Sequence, residues 1–182
     1  MTDRAMELVV EAGKTMLENG GEVFRAQDTM EIMARSLGVQ GFHVYVLTNG
    51  IFASAESEAG ELSAVRHIPR VRIHLGRVEA VNALSRQLAA GGLDLAGAEA
   101  ALAEARALPE YGRRLAWLAG AVGSACFGYL FGGGAQEVIT AFFAGLAEMW
   151  LLRLFGRAGV SKVFTDIAGA AVSYTHLTLP TT

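Results

Sequence analysis

The sequence predicts an α+β cytoplasmic domain, with elements in the order ααβββαα and an antiparallel meander, followed by an α-helical transmembrane region. Charge separates the two parts: residues 1–112 hold 10 Lys+Arg and 15 Asp+Glu, a net charge of −5, whereas residues 113–182 hold 5 and 3, a net charge of +2. Residues 115–136 contain no charged residue, and a helix needs about 20 apolar residues to cross a bilayer. Within the first 112 residues the apolar spacing changes from helical to alternating and back.

Composition excludes several classes of protein. The chain is 52% hydrophobic, which excludes a disordered chain. Its charged fraction of 18% lies below the charge content of about 25% that is typical of soluble domains. A net charge of −3 gives no broad basic surface, so we expect no nucleic-acid partner. The single cysteine, Cys126, excludes an intramolecular disulfide framework and a Cys-based zinc cluster. No nucleotide-binding or hydrolase motif occurs in the sequence, and we expect no metal, no cofactor and no enzyme activity.

The first half of the amino-terminal domain predicts two helices and a hairpin. Apolar residues recur at helical spacing over residues 5–19 and 22–37, and each stretch is followed by glycine. Residues 43–56 are β-branched and aromatic, and Asn49-Gly50 within them is a strong signal for a hairpin turn. A third strand is expected over residues 62–68, before Pro69.

The second half of this domain predicts two more helices. Helical spacing returns over residues 78–88 and ends at Gly91-Gly92. It begins again after Asp94, a favoured N-cap residue, and continues to about Ala107.

The transmembrane region is predicted to occupy residues 113–171. Its strongest span is 115–136, for which a long buried core helix is the alternative; a second span at 138–155 rests on a shorter uncharged run, and a third begins at about 163. Glu148 interrupts the second span, and lies either near the membrane surface or within the membrane facing a polar path. Asp166 is a second intramembrane polar candidate.

Small residues recur every four positions in the first span. They are Gly120, Ser124, Gly128 and Gly132. This spacing is typical of a face on which transmembrane helices pack closely, although glycine is also common in membrane helices generally.

Basic residues predict the orientation. Arg113 and Arg114 precede the first span, and Arg153, Arg157 and Lys162 follow the second, so the positive-inside rule places both flanks in the cytoplasm. The amino terminus has acidic residues where a signal peptide has its apolar stretch, and we therefore expect the first domain to stay in the cytoplasm.

Few residues of the amino-terminal domain suggest chemistry. Glu22, Arg25 and Asp28 are three residues apart and share one helix face, which either binds a polar ligand or is solvated. His43 alternates with apolar residues in a strand, which favours a structural role. His67 and His74 lie in a basic stretch, for which the alternatives are a solvated surface and a site for an anionic metabolite or lipid headgroup.

Four segments together resemble one family, the threonine/serine exporters. They are residues 16–39, with the string Asn-Gly-Gly-Glu-x-x-Arg, 49–54, 78–102, with Val-Asn-x-Leu-Ser-Arg, and 131–146. The resemblance implies a multi-pass protein of the bacterial inner (plasma) membrane, with a cytoplasmic amino-terminal domain and about five transmembrane helices. It further implies export of threonine, serine or a dicarboxylate such as succinate, an oligomer, and in some members a smaller membrane partner subunit. The family provides no agreed set of binding residues; Glu22, Arg25, Asp28 and Asn49 are positions of the matching strings, and we take them as the ligand-binding candidates.

The end of the chain departs from the family pattern. Residues 172–182 resemble a translated sequencing adapter, so we expect them to be an artefact and the chain to be a fragment. The leading hypothesis is an exporter or exporter subunit. The alternatives are a membrane-tethered cytoplasmic domain with hydrolase-like activity and a regulatory or assembly domain.

Overall fold

The computed structural model describes residues 2–69 and 71–157, together with residue 167. The chain divides into two compact units, Met1–Glu110 and Tyr111–Thr182. The predicted third apolar segment with Asp166, and the adapter-like residues 172–182, lie outside the described residues.

Four helices and a three-stranded antiparallel sheet form the first unit. In chain order they are α1 (Thr2–Glu18), α2 (Val23–Ser36), β1 (His43–Leu47), β2 (Gly50–Ser57), β3 (Gly60–His67), α3 (Leu75–Ala89) and α4 (Leu95–Ala107). The strands are ordered β1-β2-β3, with β2 in the centre. The predicted combination of helices with a small antiparallel sheet is confirmed.

The core lies between the helices and one face of the sheet. Val9, Val10 and Met16 of α1 are fully buried, and so are Met30 of α2 and Ile51 of β2. Burial of each such side chain stabilises the fold by about 1.5–3 kcal/mol. Because α1 is apolar on this broad face, it contacts every other helix of the unit as well as β2 and β3.

Local capping signals set the helix ends. The Asp94 side chain accepts a hydrogen bond from the Gly97 backbone amide at 2.8 Å, which confirms the predicted N-cap of α4. After α1, Gly20 has a φ of +87°, a conformation that favours glycine and turns the chain towards α2.

The first hairpin turn lies one residue earlier than predicted. Leu47 pairs with Gly50, so Thr48 and Asn49 form the two-residue loop and Gly50 already belongs to β2. Gly50 does not have positive φ. A Cβ atom on Gly50 would lie 3.2 Å from the Arg66 carbonyl oxygen, so glycine serves a close approach to β3 at this position rather than the turn.

Two helices, α5 (Arg113–Leu130) and α6 (Ala135–Arg157), make up the described part of the second unit. The predicted span 115–136 is wrong at its end, because the glycine-rich residues after Leu130 form a turn. The uncharged part of α5 is therefore about 24 Å long at 1.5 Å per residue, less than the hydrocarbon thickness of about 30 Å.

Length and composition identify one described helix that could cross a membrane, over residues Ala135–Phe155 of α6. The sequence had favoured the preceding segment. The second predicted span is thus the better supported of the two.

Candidate functional site

The predicted ligand-binding face is exposed. Glu22, Arg25 and Asp28 all lie on the surface of the first turns of α2, and no hydrogen bond or ion pair joins them within the described part of the chain. Asn49 is exposed in the β1–β2 turn, where its backbone oxygen accepts a hydrogen bond from the Ile68 amide at 2.9 Å. No hydrogen bond or ion pair among the described residues joins Asn49 to the α2 triplet.

The preceding part of the same motif is a buried turn. Asn19 is 6% exposed, and its side-chain amide donates to the Thr15 carbonyl oxygen at 2.7 Å. A Cβ atom on Gly21 would lie 2.9 Å from the Met16 carbonyl oxygen. The Asn-Gly-Gly string therefore has a packing role, because only glycine fits so close to the backbone of α1.

An extended segment over residues 71–74 lies against this turn. The Arg72 amide donates to the Glu18 carbonyl oxygen at 2.8 Å, and the His74 amide donates to the Asn19 carbonyl oxygen at 3.0 Å. A Cβ atom on Gly20 would lie 3.3 Å from the Arg72 carbonyl oxygen, so the second motif residue also serves a close approach.

Side chains of this segment and of α3 hold residues 108–110. Arg72 pairs with Glu110 at 2.5 Å, and Arg77 donates to the Leu108 carbonyl oxygen at 2.7 Å through Nη2 and 3.2 Å through Nε. The Nε2 atom of His74 forms a hydrogen bond with the Pro109 carbonyl oxygen at 3.0 Å. We name Arg72, His74 and Arg77, with the residues 108–110 that they bind, the linker clamp.

His74 is part of the clamp rather than of a solvated surface. It is 6% exposed, and its Nδ1 accepts the Arg77 backbone amide at 3.2 Å at the start of α3. Because Nδ1 accepts, the ring proton is on Nε2, which donates to Pro109. The solvated alternative is therefore wrong for His74, whereas His67 is exposed.

A cluster of ion pairs joins α1, β3 and α4. Glu11, whose side chain is 18% exposed, binds Arg66 at 3.2 Å and Arg106 at 3.3 Å, and Arg66 also binds Glu7. The hydrogen bond to Glu7 raises the pKa of Arg66 above its ordinary value, and burial opposes this effect. A cavity of about 220 Å³ adjoins the cluster, but its charges are paired with one another, which indicates a structural role.

The outer face of the sheet carries a shallow depression of about 340 Å³. Two cross-strand rows line it, one of His43, Ser54 and Ser63 and one of Tyr45, Phe52 and Val65. His43 is exposed and lies opposite Ser54, but no hydrogen bond joins its ring to a hydroxyl group among the described residues. A nucleophile and its base need that contact, so this row offers no support for the hydrolase-like alternative.

The two helices of the second unit pack through small residues. Three layers follow one another at four-residue steps that run in opposite directions along the helices: Gly120 against Met149, Ser124 against Gly145, and Gly128 against Ala141. A Cβ atom on Gly128 would lie 3.2 Å from the Ala141 Cβ, and one on Gly145 would lie 2.9 Å from the Ser124 Cβ. Such spacing brings the backbones of two helices close together.

Gly132, the fourth member of the predicted packing face, is not on the helix. It lies in the turn after α5 with a φ of +85°, and a Cβ atom there would meet nothing within 4 Å. The four-residue period continues in the sequence, but α5 ends before it reaches Gly132. Glycine is explained at this position by the turn conformation.

Of the two intramembrane polar candidates, only Glu148 is described. It lies in α6, is partly buried, and is seven residues before Phe155. Asp166 lies outside the described residues.

Residues 7–179 match the family model described as "Putative threonine/serine exporter". The chain belongs to the threonine/serine exporter family. The match spans both units and confirms the resemblance drawn from the sequence motifs. Membership implies a membrane protein that transports a small molecule. Comparison with curated proteins and with solved structures finds no significant match.

The sequence placed His74 in a basic stretch, but it could not predict the contacts of the clamp, because each clamp residue lies far from its partner in the chain. Arg77 binds a carbonyl oxygen 31 residues away, and His74 binds one 35 residues away. Backbone acceptors have no sequence signature. One available signal was Asn19, which opens the Asn-Gly-Gly-Glu-x-x-Arg string and whose Oδ1 accepts a hydrogen bond from Arg77 Nη1 at 3.4 Å.

Proposed function

We propose that the chain provides the cytoplasmic domain and the first membrane helices of a multi-pass inner-membrane exporter of threonine, serine or a dicarboxylate such as succinate. The family match over residues 7–179 carries the proposal. The exposure of α6 supports it, since only 11% of its most apolar window is buried, whereas the core helix of a soluble domain is mostly buried.

The pairing of α5 with α6 supports a membrane hairpin. Lipid supplies little hydrophobic force between helices, so transmembrane helices associate through close packing of small residues, as at Gly128 and Gly145. The short uncharged stretch of α5 can still span if Arg114 reaches the headgroups, or if the bilayer thins locally. In this arrangement the ends of the hairpin lie in the cytoplasm and the turn at Gly132 faces outward.

Glu148 then lies inside the membrane. Glu148 lies seven positions before Phe155, the end of the candidate span, or about 10 Å at 1.5 Å per residue, if Arg153 extends its side chain towards the headgroups. This depth favours the intramembrane alternative over the surface one. Acidic residues at such depth face the interior of a bundle or a polar path, and we propose this role for Glu148.

A substrate path needs more helices than one hairpin. We propose that other copies of the chain, further helices, or a smaller partner subunit complete the bundle around the small-molecule substrate. Substrate would bind near the middle of the membrane, where transporters commonly place their sites.

Efflux measurements test the proposal. Cells that express the gene of this chain should lose preloaded threonine, serine or succinate faster than cells that lack it. If the two kinds of cell lost each of the three metabolites at the same rate, the proposal that these metabolites are substrates would be contradicted.

Two glycine variants test whether the hairpin matters for efflux. Gly145→Ala places a Cβ atom 2.9 Å from the Ser124 Cβ, and overpacking of this kind costs about 1–3 kcal/mol. Gly123→Ala is the matched control, because a Cβ atom there meets nothing within 4 Å. We expect Gly145→Ala to lower the efflux rate and Gly123→Ala to leave it unchanged; the same rate in both variants would contradict the packing role.

A further inference from the structure

The face of the sheet that points away from the helices carries its side chains in four cross-strand rows. Successive residues of a strand point to opposite faces, so the buried Val46, Ile51 and Ala53 point to the core and the residues between them point outward. From one end of the strands to the other, the strand pairing gives row one with Leu47, Gly50 and His67, row two with Tyr45, Phe52 and Val65, row three with His43, Ser54 and Ser63, and row four with Glu56 and Glu61. We name these four rows the sheet face.

The middle of the sheet face has the composition of an interface core. In row two, Tyr45 is 65% exposed, Phe52 48% and Val65 62%. Rows two and three contain no Asp, Glu, Lys or Arg, and side chains of both rows line the depression of about 340 Å³. The cores of protein interfaces are poor in charged residues and rich in aromatic ones, and a continuous row of exposed apolar side chains marks an interaction site.

The two ends of the sheet face differ in their polar groups. Row four holds the carboxylates of Glu56 and Glu61 side by side, whereas row one holds the exposed imidazole of His67. In the part of the chain that the structure describes, no ion pair involves Glu61 or His67. A carboxylate accepts hydrogen bonds and an imidazole N–H donates them, so row one and row four are complementary to each other.

A second copy of the same face satisfies this complementarity. If a two-fold axis crosses the strands between rows two and three, row one of each copy faces row four of the other, and row two faces row three. His67 then faces the glutamate row, and the hydroxyl group of Tyr45 faces His43 of the other copy, which can bind it. A two-fold axis along the strands would instead place glutamate row against glutamate row, which repels. Charge therefore selects the arrangement in which the strands of the two copies run antiparallel.

We propose that the first unit forms a weak two-fold dimer with a second copy of the chain through the sheet face. The face is about 20 Å long, from six residues at about 3.4 Å each, and its three strands are about 10 Å across. This is less than the standard interface of about 800 Å² per partner, so the dimer should be weak. The inference concerns the first unit alone and does not depend on the proposed function. Anionic lipid is a poorer occupant, because row four would repel it.

Disulfide cross-linking tests the proposal on the full chain in detergent micelles. Every variant carries Cys126→Ser, which removes the natural cysteine of the chain. Chains with Phe52→Cys and chains with Ser54→Cys carry tags of different size, and they are mixed at concentrations up to the millimolar range and oxidised with copper phenanthroline. In the proposed dimer these two positions face each other, whereas two copies of Phe52 are offset by one row, about 7 Å. In the control mixture Phe24→Cys, at an exposed phenylalanine of α2, replaces Phe52→Cys.

We expect several-fold more cross-linked dimer from the mixture of Phe52→Cys with Ser54→Cys than from either variant alone or from the control mixture. Equal yields in all of these samples would overturn the proposal and leave the sheet face to a different partner. A higher yield from Phe52→Cys alone would overturn the antiparallel arrangement. Since β2 is the central strand, pairing between sheet edges cannot bring these positions together. Efflux is not measured here, so failure of the dimer and failure of the proposed function are separate results.

A charge exchange tests the contact between the end rows. In the same cysteine mixture, His67→Glu places a carboxylate opposite row four, and we expect the cross-linking yield to fall several-fold. Adding Glu61→Lys to the same chain leaves row four without net charge and should restore the yield. Both positions are exposed, so neither change disturbs the core. An unchanged yield with His67→Glu, or no recovery with Glu61→Lys, would overturn this contact.

Discussion

Gly20→Ala should destabilise the first unit by more than the cost of its left-handed backbone conformation alone. Gly20 has a φ of +87°, and alanine in a left-handed conformation costs about 1–2 kcal/mol. A Cβ atom at this position would also lie 3.3 Å from the Arg72 carbonyl oxygen, which is closer than an ordinary van der Waals contact. This neighbour is a backbone atom, so it cannot move aside as the end of a side chain would.

The extra cost can be isolated with a second glycine. Gly38 has a φ of +70°, and a Cβ atom there would meet nothing within 4 Å, so Gly38→Ala carries only the conformational cost. At Gly20 the segment must shift by a few tenths of an ångström to accommodate the Cβ atom, and overpacking adds about 1–3 kcal/mol. We therefore expect Gly20→Ala to cost about 2–5 kcal/mol, against about 1–2 kcal/mol for Gly38→Ala.

Pulse proteolysis of the full chain in detergent micelles measures this difference, because it reports the folded fraction of the first unit at each urea concentration. With a urea dependence of about 1–3 kcal/mol per M, the midpoint of Gly20→Ala should lie about 0.5–1.5 M below that of Gly38→Ala. Equal midpoints would refute the argument that the glycine is needed for close approach to residues 72–73.

Two further substitutions test the helix cap and the ion-pair cluster. Asp94→Ala should cost about 1 kcal/mol because the Gly97 amide loses its acceptor, whereas Asp94→Asn, which keeps an acceptor oxygen, should cost less; equal losses would exclude capping. Arg66→Met should cost about 1–2 kcal/mol, since Glu7 and Glu11 lose a partner that is 27% exposed. The pKa of Arg66 is raised on folding, so its stabilisation is lost only at pH values above its ordinary pKa, and the cost should be the same at about pH 6 and about pH 9. A loss that varied across this range would show that another group is responsible.

Local signals predicted most of the first unit. Asp94 caps α4 as predicted, because capping depends on a few neighbouring residues. The Asn49-Gly50 pair placed the hairpin turn one residue too late. Glycine at position 50 suits a turn, but it also allows the 3.2 Å approach to Arg66 of β3. The second reason depends on the third strand, so the two strands of the hairpin alone do not reveal it.

Long-range contacts explain what could not be predicted. An uncharged run does not reveal where a helix stops, because Phe131 to Gly134 are as compatible with a membrane as the residues before them. The conformation of Gly132, with positive φ, ends the helix there. Likewise the charged residues Glu22, Arg25 and Asp28 were predicted as the ligand-binding face, but they are exposed. The buried contacts of this region are made by Asn19.

The packing of α5 against α6 adds a constraint that composition alone does not contain. A small residue at every fourth position needs a partner at every fourth position of the facing helix, and the layers at Gly120, Ser124 and Gly128 each meet one. One face of a helix can pack closely against only one other helix at a given height along its axis. This face of α5 already packs against α6. The exposed aromatic residues of α5, Phe127 and Tyr129, therefore lie on the surface that remains for lipid or for further helices of an exporter bundle.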